Sequence, residues 1–134
     1  MSIKDLLFCH LVIFKSFNDN YGHDVGDKVI ISVANCLKSA FREHDIVFRL
    51  GGDEFSAYAA EVHDKEIAEK IINRFIDNLK TIVVEELGDI KITASIGATI
   101  IQPGEPVDFA DNYKLIDNAV YESKKVQGSF VTFK

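Results

Sequence analysis

Apolar and polar positions along the chain follow patterns that predict strands and helices. Residues 6–14 form a continuous apolar run of strand length, which is typical of a central strand covered on both faces. A polar, turn-rich stretch at 18–26 precedes a segment at 28–43 in which apolar residues recur at helical spacing. Two short apolar runs at 46–50 and 55–60 flank a pair of glycines, and this arrangement predicts a β-hairpin.

The second half of the chain predicts two more helices and two more strands. Asp64 is placed to cap a helix at its N-terminus. The apolar residues at helical spacing behind this cap form the predicted core face: Ile67, Ile71, Phe75 and Leu79. Strands are predicted at 90–101 and 130–133, and a helix at 111–126 between them is expected to turn Leu115 towards the core.

The predicted order of elements is β-α-β-β-α-β, followed by α-β. The first six elements match the ferredoxin-like pattern, in which helices pack on a mixed or mainly antiparallel sheet. We therefore expect an α+β fold, with a mainly antiparallel central sheet flanked by helices.

Composition limits the classes of function. The chain has 134 residues, which fits one domain, and its fractions of 47% hydrophobic and 27% charged residues are ordinary for a soluble protein. A net charge of -6 disfavours a nucleic acid polymer as partner, because such partners require a basic face. A nucleotide ligand stays compatible with this charge, since a few local cations and backbone N–H groups can hold phosphates.

Cysteine usage and the absence of long apolar runs predict a cytoplasmic protein. Cys9 and Cys36 lack metal-ligand spacing and lie among apolar residues, which favours reduced core thiols. No apolar run is long enough to span a membrane, and the first five residues do not resemble a signal peptide.

One short motif carries the identification. The stretch 51–55 reads Gly-Gly-Asp-Glu-Phe, a string expected by chance in a chain of this length with a probability on the order of 1 in 10,000. It resembles the signature of the bacterial GGDEF family, the diguanylate cyclases. The segments at 14–27, 95–97 and 117–124 resemble three further motifs of the same family, so the resemblance covers nearly the whole chain.

This resemblance implies a nucleotidyl-cyclase-like fold and a reaction that condenses two GTP molecules into cyclic-di-GMP. Each domain holds one GTP, and two domains meet face to face in a transient homodimer. Each ribose 3′-hydroxyl then attacks the α-phosphate of the other nucleotide. The implied partners are GTP and cyclic-di-GMP, and the implied cofactor is Mg²⁺ or Mn²⁺, which prefers hard oxygen ligands.

The glycine hairpin is the candidate reaction centre. Gly51 and Gly52 permit positive φ and let phosphate approach the backbone without a Cβ clash. By resemblance, Asp53 and Glu54 are catalytic, and Asp53 binds the metal together with the backbone carbonyl of Leu11. The alternative for both carboxylates is a solvated acidic turn.

Four further residues are implied to bind the substrate. By resemblance, Asn18 and Asp27 read the N–H groups on the pairing edge of guanine, which require acceptors. The alternative for both is capping of a loop or helix, which Asn and Asp also favour. Lys124 is expected on phosphate, and Lys15 with its neighbours is expected to offer backbone N–H groups to phosphate. A lone lysine is otherwise a solvated charge.

A second predicted site binds the product. Arg42 and Asp45 fit the family's RxxD inhibitory motif at the expected distance before the glycine turn. The arginine is expected to pair with product phosphate or the guanine edge, and the aspartate to accept from guanine. The alternative is an arginine at a helix end and a cap before a strand. The family often adds a second arginine from the following helix, for which Arg74 is the nearest candidate.

The sequence departs from the family pattern at the first strand. The position of a metal-binding aspartate is His10, and imidazole is a poor ligand for Mg²⁺. A histidine beside an apolar strand is more often a satisfied core residue. The position of a second aspartate is Val12, which offers no donor. Weak or absent metal binding, and impaired activity, are therefore expected.

Two other departures lie near the ends of the chain. Gly128 is followed by Ser129 and Phe130, so the cation that family members place after this glycine is missing. The family's usual leading helical segment has no counterpart before the first strand. We expect a single, N-terminally shortened GGDEF domain over residues 1–134.

Three hypotheses remain open at this point. The chain is an active cyclase that works as a transient homodimer. Alternatively, it is a catalytically weak or inactive module that binds GTP or cyclic-di-GMP and regulates a partner. The third hypothesis is a ferredoxin-like interaction domain with no nucleotide role.

Overall fold

The computed structural model describes residues 6–13, 18–88, 91–102, 109–126 and 128–134. Five strands and three α-helices follow one another along these residues, with one short 3₁₀ turn at Glu85–Leu87. The elements are β1 Leu6–Ile13, α1 Asn18–Ala40, β2 Ile46–Gly51, β3 Glu54–Ala59, α2 Lys65–Leu79, β4 Ala94–Ile101, α3 Phe109–Lys124 and β5 Phe130–Phe133.

The strands form one sheet in the order β2-β3-β1-β4-β5. Every neighbouring pair is antiparallel except β4 and β5, which run parallel. Strand β1 is central, and its successive side chains point to opposite faces, as strand geometry requires. Leu7 and Leu11 pack into the large core with α1 and α2, whereas Phe8 packs against α3 on the other face. The expected α+β fold with a mainly antiparallel sheet is confirmed.

Helix α1 begins ten residues earlier than predicted. The stretch at 18–26, predicted as a turn, belongs to a helix that is bent at Gly22, where φ is 82° and ψ is 178°. A glycine tolerates this left-handed φ, so the helical path resumes after the bend. Val25 is buried while His23 and Asp24 are exposed, so the polar sequence belongs to the solvent side of the helix.

The predicted core faces of α2 and α3 were each wrong at one residue. Asp64 caps α2 as expected, since its Oδ1 accepts a hydrogen bond of 2.8 Å from the backbone N–H of Ile67. However, Ile67 is exposed and the next residue, Ala68, is buried. Likewise Leu115 is exposed and Ile116 is buried. Ile71, Phe75 and Leu79 are buried as predicted, so the core face of α2 is confirmed beyond its first turn.

Both cysteines are free thiols. Cys9 is buried, and burial raises the pKa of its thiol to about 12. Cys36 is half-buried, and burial also raises the pKa of this thiol. Neither is activated as a nucleophile, in agreement with the interpretation as core thiols.

The packing of α3 on the sheet depends on Gly97 in β4. A Cβ atom built at this position would overlap the backbone carbonyl oxygen of Ile116 and lie 2.8 Å from the backbone nitrogen of Val120. Backbone atoms cannot rotate away as a side chain does. The absence of a side chain at Gly97 therefore sets how closely α3 approaches the sheet.

We expect Gly97→Ala to lower the free energy of unfolding by about 2–4 kcal/mol, because α3 must move outward to relieve the overlap. Urea unfolding followed by circular dichroism would measure this change. Gly88→Ala is the matched control, since φ is 58° there and no atom lies within 4 Å of the added Cβ. Its loss is expected to be about 1 kcal/mol, from backbone strain alone. Equal losses at the two positions would contradict the packing role of Gly97.

Candidate functional site

The tip of the β2–β3 hairpin has the backbone geometry that its sequence predicts. Gly51 has φ of 149° and Gly52 has φ of 52°, both in the region that favours glycine. The Nε of Arg49 donates a hydrogen bond of 2.9 Å to the carbonyl of Gly52, which braces the turn from the strand side. The hairpin therefore presents a short stretch of backbone without side chains at its tip.

The hairpin tip is attached to the end of the central strand. The backbone N–H of Ile13 donates a hydrogen bond of 2.9 Å to the carbonyl of Asp53. Helix α1 begins at Asn18, only five residues further on, so its first Cα lies at most about 18 Å from that of Ile13. The hairpin and the start of α1 therefore lie at the same end of the sheet.

The predicted substrate-binding residues are described to different extents. Asp27 is exposed on α1, after the bend at Gly22. Asn18 is the first residue of α1, but its side chain lies outside the described part of the structure, and Lys15 lies outside it entirely. Lys124 is exposed at the C-terminal end of α3. The roles of these four residues stay predictions.

The end of α3 is held on the sheet by one buried hydroxyl. Ser123 donates a hydrogen bond of 2.8 Å to the carbonyl of Ile96, and its Oγ lies 2.7 Å from the hydroxyl of Thr132. Ile96 pairs with Leu11 across the sheet. The backbone that carries Lys124 is thus fixed relative to β4 and β5.

His10 is buried between β3 and α3 and has a polar partner. Its Nδ1 lies 3.2 Å from the hydroxyl of Ser56, which faces it across the antiparallel pair. Its Nε2 lies 3.7 Å from Oε1 of Glu54. The ring of Tyr113 on α3 contacts the imidazole edge-on, with centroids 5.5 Å apart. His10 is therefore a satisfied core residue that also borders the candidate reaction centre.

Tyr113 extends this cluster towards Glu54. Burial raises the pKa of its hydroxyl, and the nearby carboxylates Asp117 and Glu54 raise it further. The side chain of Glu54 is half exposed, so it lies at the mouth of the cluster rather than inside it.

The donor set at this position does not fit a complete magnesium cage. Mg²⁺ requires near-octahedral oxygen ligands. Asp53 and Glu54 carry oxygens, but His10 offers nitrogen and is engaged by Ser56, and Val12 offers nothing. Within the described ranges, no group of three His, Cys, Asp or Glu side chains could hold a metal ion. Leu11 lies in the middle of the sheet, and its carbonyl stays a predicted ligand.

Arg42 and Asp45 are paired with each other. Both the backbone N–H and the Nε of Arg42 donate to Oδ2 of Asp45, at 2.8 Å and 3.2 Å. The guanidinium of Arg42 also donates to the carbonyl of Ala60, which connects the loop after α1 to the end of β3. Arg42 and Asp45 therefore bond to each other, an arrangement that we call the closed pair. The role of these two residues in product binding stays a prediction.

One oxygen of Asp45 is left without a donor. The Asp45 side chain has no exposed surface, and its Oδ1 accepts no hydrogen bond. The Nε2 of His44 lies 3.8 Å away, which is beyond hydrogen-bond distance. An unsatisfied buried acceptor of this kind costs about 1–3 kcal/mol, so the contact between Arg42 and Asp45 leaves this carboxylate incompletely stabilised.

A surface cleft of about 490 Å³ borders this pair. Its lining residues come from the end of α1, the following loop and the start of β2: Lys38, Phe41, Arg42, Glu43, Asp45, Ile46 and Val47. Arg74 of α2 is close, but its Nη1 donates to the carbonyl of Ala40 at 3.5 Å.

Sequence reasoning missed Ser56, Tyr113 and Lys38. Strand alternation would have placed Ser56 on the same face as His10 only if the register between β1 and β3 had been known. Tyr113 and Lys38 belong to no recognisable sequence motif. Only the folded structure shows that Tyr113 contacts His10 and that Lys38 lines the cleft beside Asp45.

The fold and the glycine hairpin together define the class of nucleotidyl-cyclase-like signalling domains. The family model described as "Diguanylate cyclase, GGDEF domain" matches residues 3–129. The chain therefore belongs to the GGDEF family.

Curated relatives agree with this assignment. The chain is 36% identical over 115 residues to the probable diguanylate cyclase DgcT of Escherichia coli, covering 84% of this chain and 25% of that protein. It is 33% identical over 114 residues to the diguanylate cyclase DgcZ of the same organism, covering 84% of this chain and 37% of that protein. The chain thus spans only a quarter to somewhat over a third of these relatives.

Solved structures show the same fold. The diguanylate cyclase SiaD of Pseudomonas aeruginosa, in complex with its activator SiaC, superposes with a TM-score of 0.85 at 28% identity, covering 98% of this chain and 50% of that one. The GGDEF domain of DgcB from Caulobacter crescentus, in complex with c-di-GMP, gives a TM-score of 0.83 at 25% identity, covering 96% of this chain and 77% of that one. Among the described residues, no helix is both long and apolar enough to cross a membrane.

We expect Arg42→Ala to lower the free energy of unfolding by about 1–3 kcal/mol, because it leaves the buried Asp45 carboxylate with one donor fewer. Asp45→Asn removes the buried charge that Arg42 compensates. The double variant Arg42→Ala with Asp45→Asn should therefore lose at least about 1 kcal/mol less free energy of unfolding than the sum of the losses of the two single variants. Urea unfolding of the four proteins would measure this coupling.

The control for the pair is Arg49→Ala, which removes a single exposed hydrogen bond and should cost less than about 1 kcal/mol. Additive losses at Arg42 and Asp45 would show that the observed contacts do not couple the two residues.

Proposed function

We propose that this GGDEF domain binds guanine nucleotides but has weak or no diguanylate cyclase activity. The observation that carries the proposal is the buried His10, which stands where the family places a metal-binding aspartate and is held by Ser56 beside Glu54.

The nucleotide site of this proposal is assembled from chain segments at one end of the sheet. The bare backbone at Gly51 and Gly52 lets the triphosphate approach closely. Asn18 and Asp27 accept hydrogen bonds from guanine. Lys124 contributes a cation for phosphate, and the backbone around Lys15 contributes N–H donors. Support comes from the bond between Ile13 and Asp53, which brings the hairpin to the strand end that precedes α1.

Turnover is limited by the charge of the centre. Attack on an α-phosphate develops negative charge, and the family offsets it with divalent metal held by carboxylates. Here the positions of His10 and Val12 provide no carboxylate, so Asp53 and Glu54 remain as the acidic groups. We propose that Mg²⁺ or Mn²⁺ is bound weakly or not at all. We also propose that two copies of this domain meet face to face in a transient homodimer, as the family resemblance implies.

We predict that the double variant His10→Asp with Val12→Asp has at least tenfold higher cyclase activity than the wild type. The change restores both carboxylates of the metal cage. Purified proteins would be incubated with GTP and Mg²⁺ or Mn²⁺, and cyclic-di-GMP quantified. The matched control is His10→Asn with Val12→Asn, which keeps the size of the new side chains but adds no charge.

A second readout does not depend on turnover. Two added carboxylates beside Glu54 repel one another in the absence of metal, so Mg²⁺ should raise the Tm of the Asp double variant. The wild type and the Asn control should show no such rise. Robust cyclic-di-GMP formation by the wild type would overturn the proposal of impaired activity.

A second candidate function is favoured by the cleft beside Asp45. We propose that the domain also binds cyclic-di-GMP there and regulates a partner. The unsatisfied Oδ1 of Asp45 suits an N–H donor on a guanine edge, and Arg42 suits a phosphate or the guanine edge.

Isothermal calorimetry with cyclic-di-GMP tests this candidate. We expect micromolar or tighter binding by the wild type and at least a tenfold loss for Arg42→Ala, because a charge-assisted contact is removed. Arg49→Ala is the matched control, since it removes an arginine outside the cleft and should keep wild-type affinity. Absence of binding by the wild type, or equal binding by Arg42→Ala, would refute the product site.

A further inference from the structure

We infer that Lys38, and not an arginine from α2, supplies the second cation of the cleft that binds cyclic-di-GMP. This inference rests on the proposed product site at Arg42 and Asp45. It differs from the expectation from the sequence, which named Arg74 as the nearest candidate for the second cation.

Lys38 is placed on the cleft by the last turn of α1. Lys38 belongs to the last turn of the helix, which ends at Ala40, and Arg42 follows in the loop after it. Both Lys38 and Arg42 line the cleft of about 490 Å³.

Lys38 also lies where two concave surfaces meet. It lines a neighbouring groove of about 280 Å³ between α1 and β2, whose other lining residues are mostly apolar. A flexible side chain at this boundary can reach into the cleft while its methylene groups stay on apolar surface. Lys38 is exposed, and within the described part of the chain it forms no ion pair that would hold it elsewhere.

Arg74 contacts the end of α1 instead of the cleft. Its Nη1 donates to the carbonyl of Ala40, the last residue of α1, and the residue is absent from the cleft lining. Basic side chains at a helix C-terminus satisfy free carbonyls and interact favourably with the helix dipole. The geometry therefore gives Arg74 a structural role in joining α2 to α1.

The charge of the cleft requires a further cation. Arg42 and Asp45 compensate each other, and Glu43 adds a negative charge to the lining. Without Lys38 the cleft would oppose a ligand with two phosphate groups. The ammonium of Lys38 offsets Glu43, so that the charged side chains of the lining sum to zero.

Calorimetry with cyclic-di-GMP on five proteins tests this assignment: wild type, Lys38→Gln, Lys38→Arg, Arg74→Gln and Arg42→Ala. We expect about tenfold weaker binding for Lys38→Gln, because one charge-assisted phosphate contact is lost. The dependence of log Kd on log salt concentration should also become shallower for Lys38→Gln, since fewer ionic contacts form. Lys38→Arg should keep the affinity within about threefold of the wild type, because the charge is retained.

Arg74→Gln should keep wild-type affinity but lower the Tm, which separates a structural role from a binding role. The matched charge control is Lys70→Gln on α2, where Lys70 is exposed and its Nζ lies 3.8 Å from Oε1 of Glu66 in the same helix. This control changes the net charge equally and should leave both affinity and salt dependence unchanged.

The outcomes distinguish this inference from the proposed product site. If the wild type binds and Arg42→Ala does not, the product site stands. Unchanged affinity of Lys38→Gln, or a loss for Arg74→Gln as large as that for Arg42→Ala, would then overturn the role of Lys38 alone. Absence of binding by the wild type would overturn both.

Discussion

The register between β1 and β3 is the constraint on which the candidate reaction centre depends. It sets His10 opposite Ser56 and Val12 opposite Glu54, and it ends with the bond between Ile13 and the carbonyl of Asp53. A slip of one residue would turn His10 to the other face of the sheet, into the core of α1 and α2. The chemistry at the hairpin is therefore decided by which residues the central strand presents on the α3 face.

This constraint explains why two substitutions in one strand change the site so thoroughly. His10 and Val12 belong to the same face of β1, so both face the surroundings of Glu54. The imidazole gains a hydroxyl partner in Ser56 and an aromatic neighbour in Tyr113. A carboxylate at that position would instead be a buried charge beside Glu54, which is unfavourable without metal. The present arrangement thus satisfies this buried position with a hydroxyl and an aromatic neighbour and without a metal ion.

The sequence predicted the features that local chemistry determines, such as the glycine hairpin, the Asp64 cap and the central apolar strand. It misplaced the start of α1, because a polar stretch with Gly22 has the composition of a turn and only Val25 signals a buried side. It also misplaced one core residue in each of α2 and α3, because Ala68 and Ile116 are buried in place of Ile67 and Leu115. The bond from Arg42 to the carbonyl of Ala60 was not predictable, because Ala60 follows β3 and lies far from Arg42 along the chain.

The closed pair has a consequence for how tightly the cleft can bind. A ligand that uses Arg42 and Asp45 must first separate them, and the free energy of the closed state is subtracted from the binding free energy. If the pair contributes about 1.4 kcal/mol, the observed affinity falls about tenfold below that of an open site. The unsatisfied Oδ1 of Asp45 reduces this loss of binding free energy, because the closed state already contains one buried acceptor without a donor. A guanine N–H that reaches Oδ1 therefore recovers free energy that the closed state lacks, and this gain favours a purine ligand over phosphate alone.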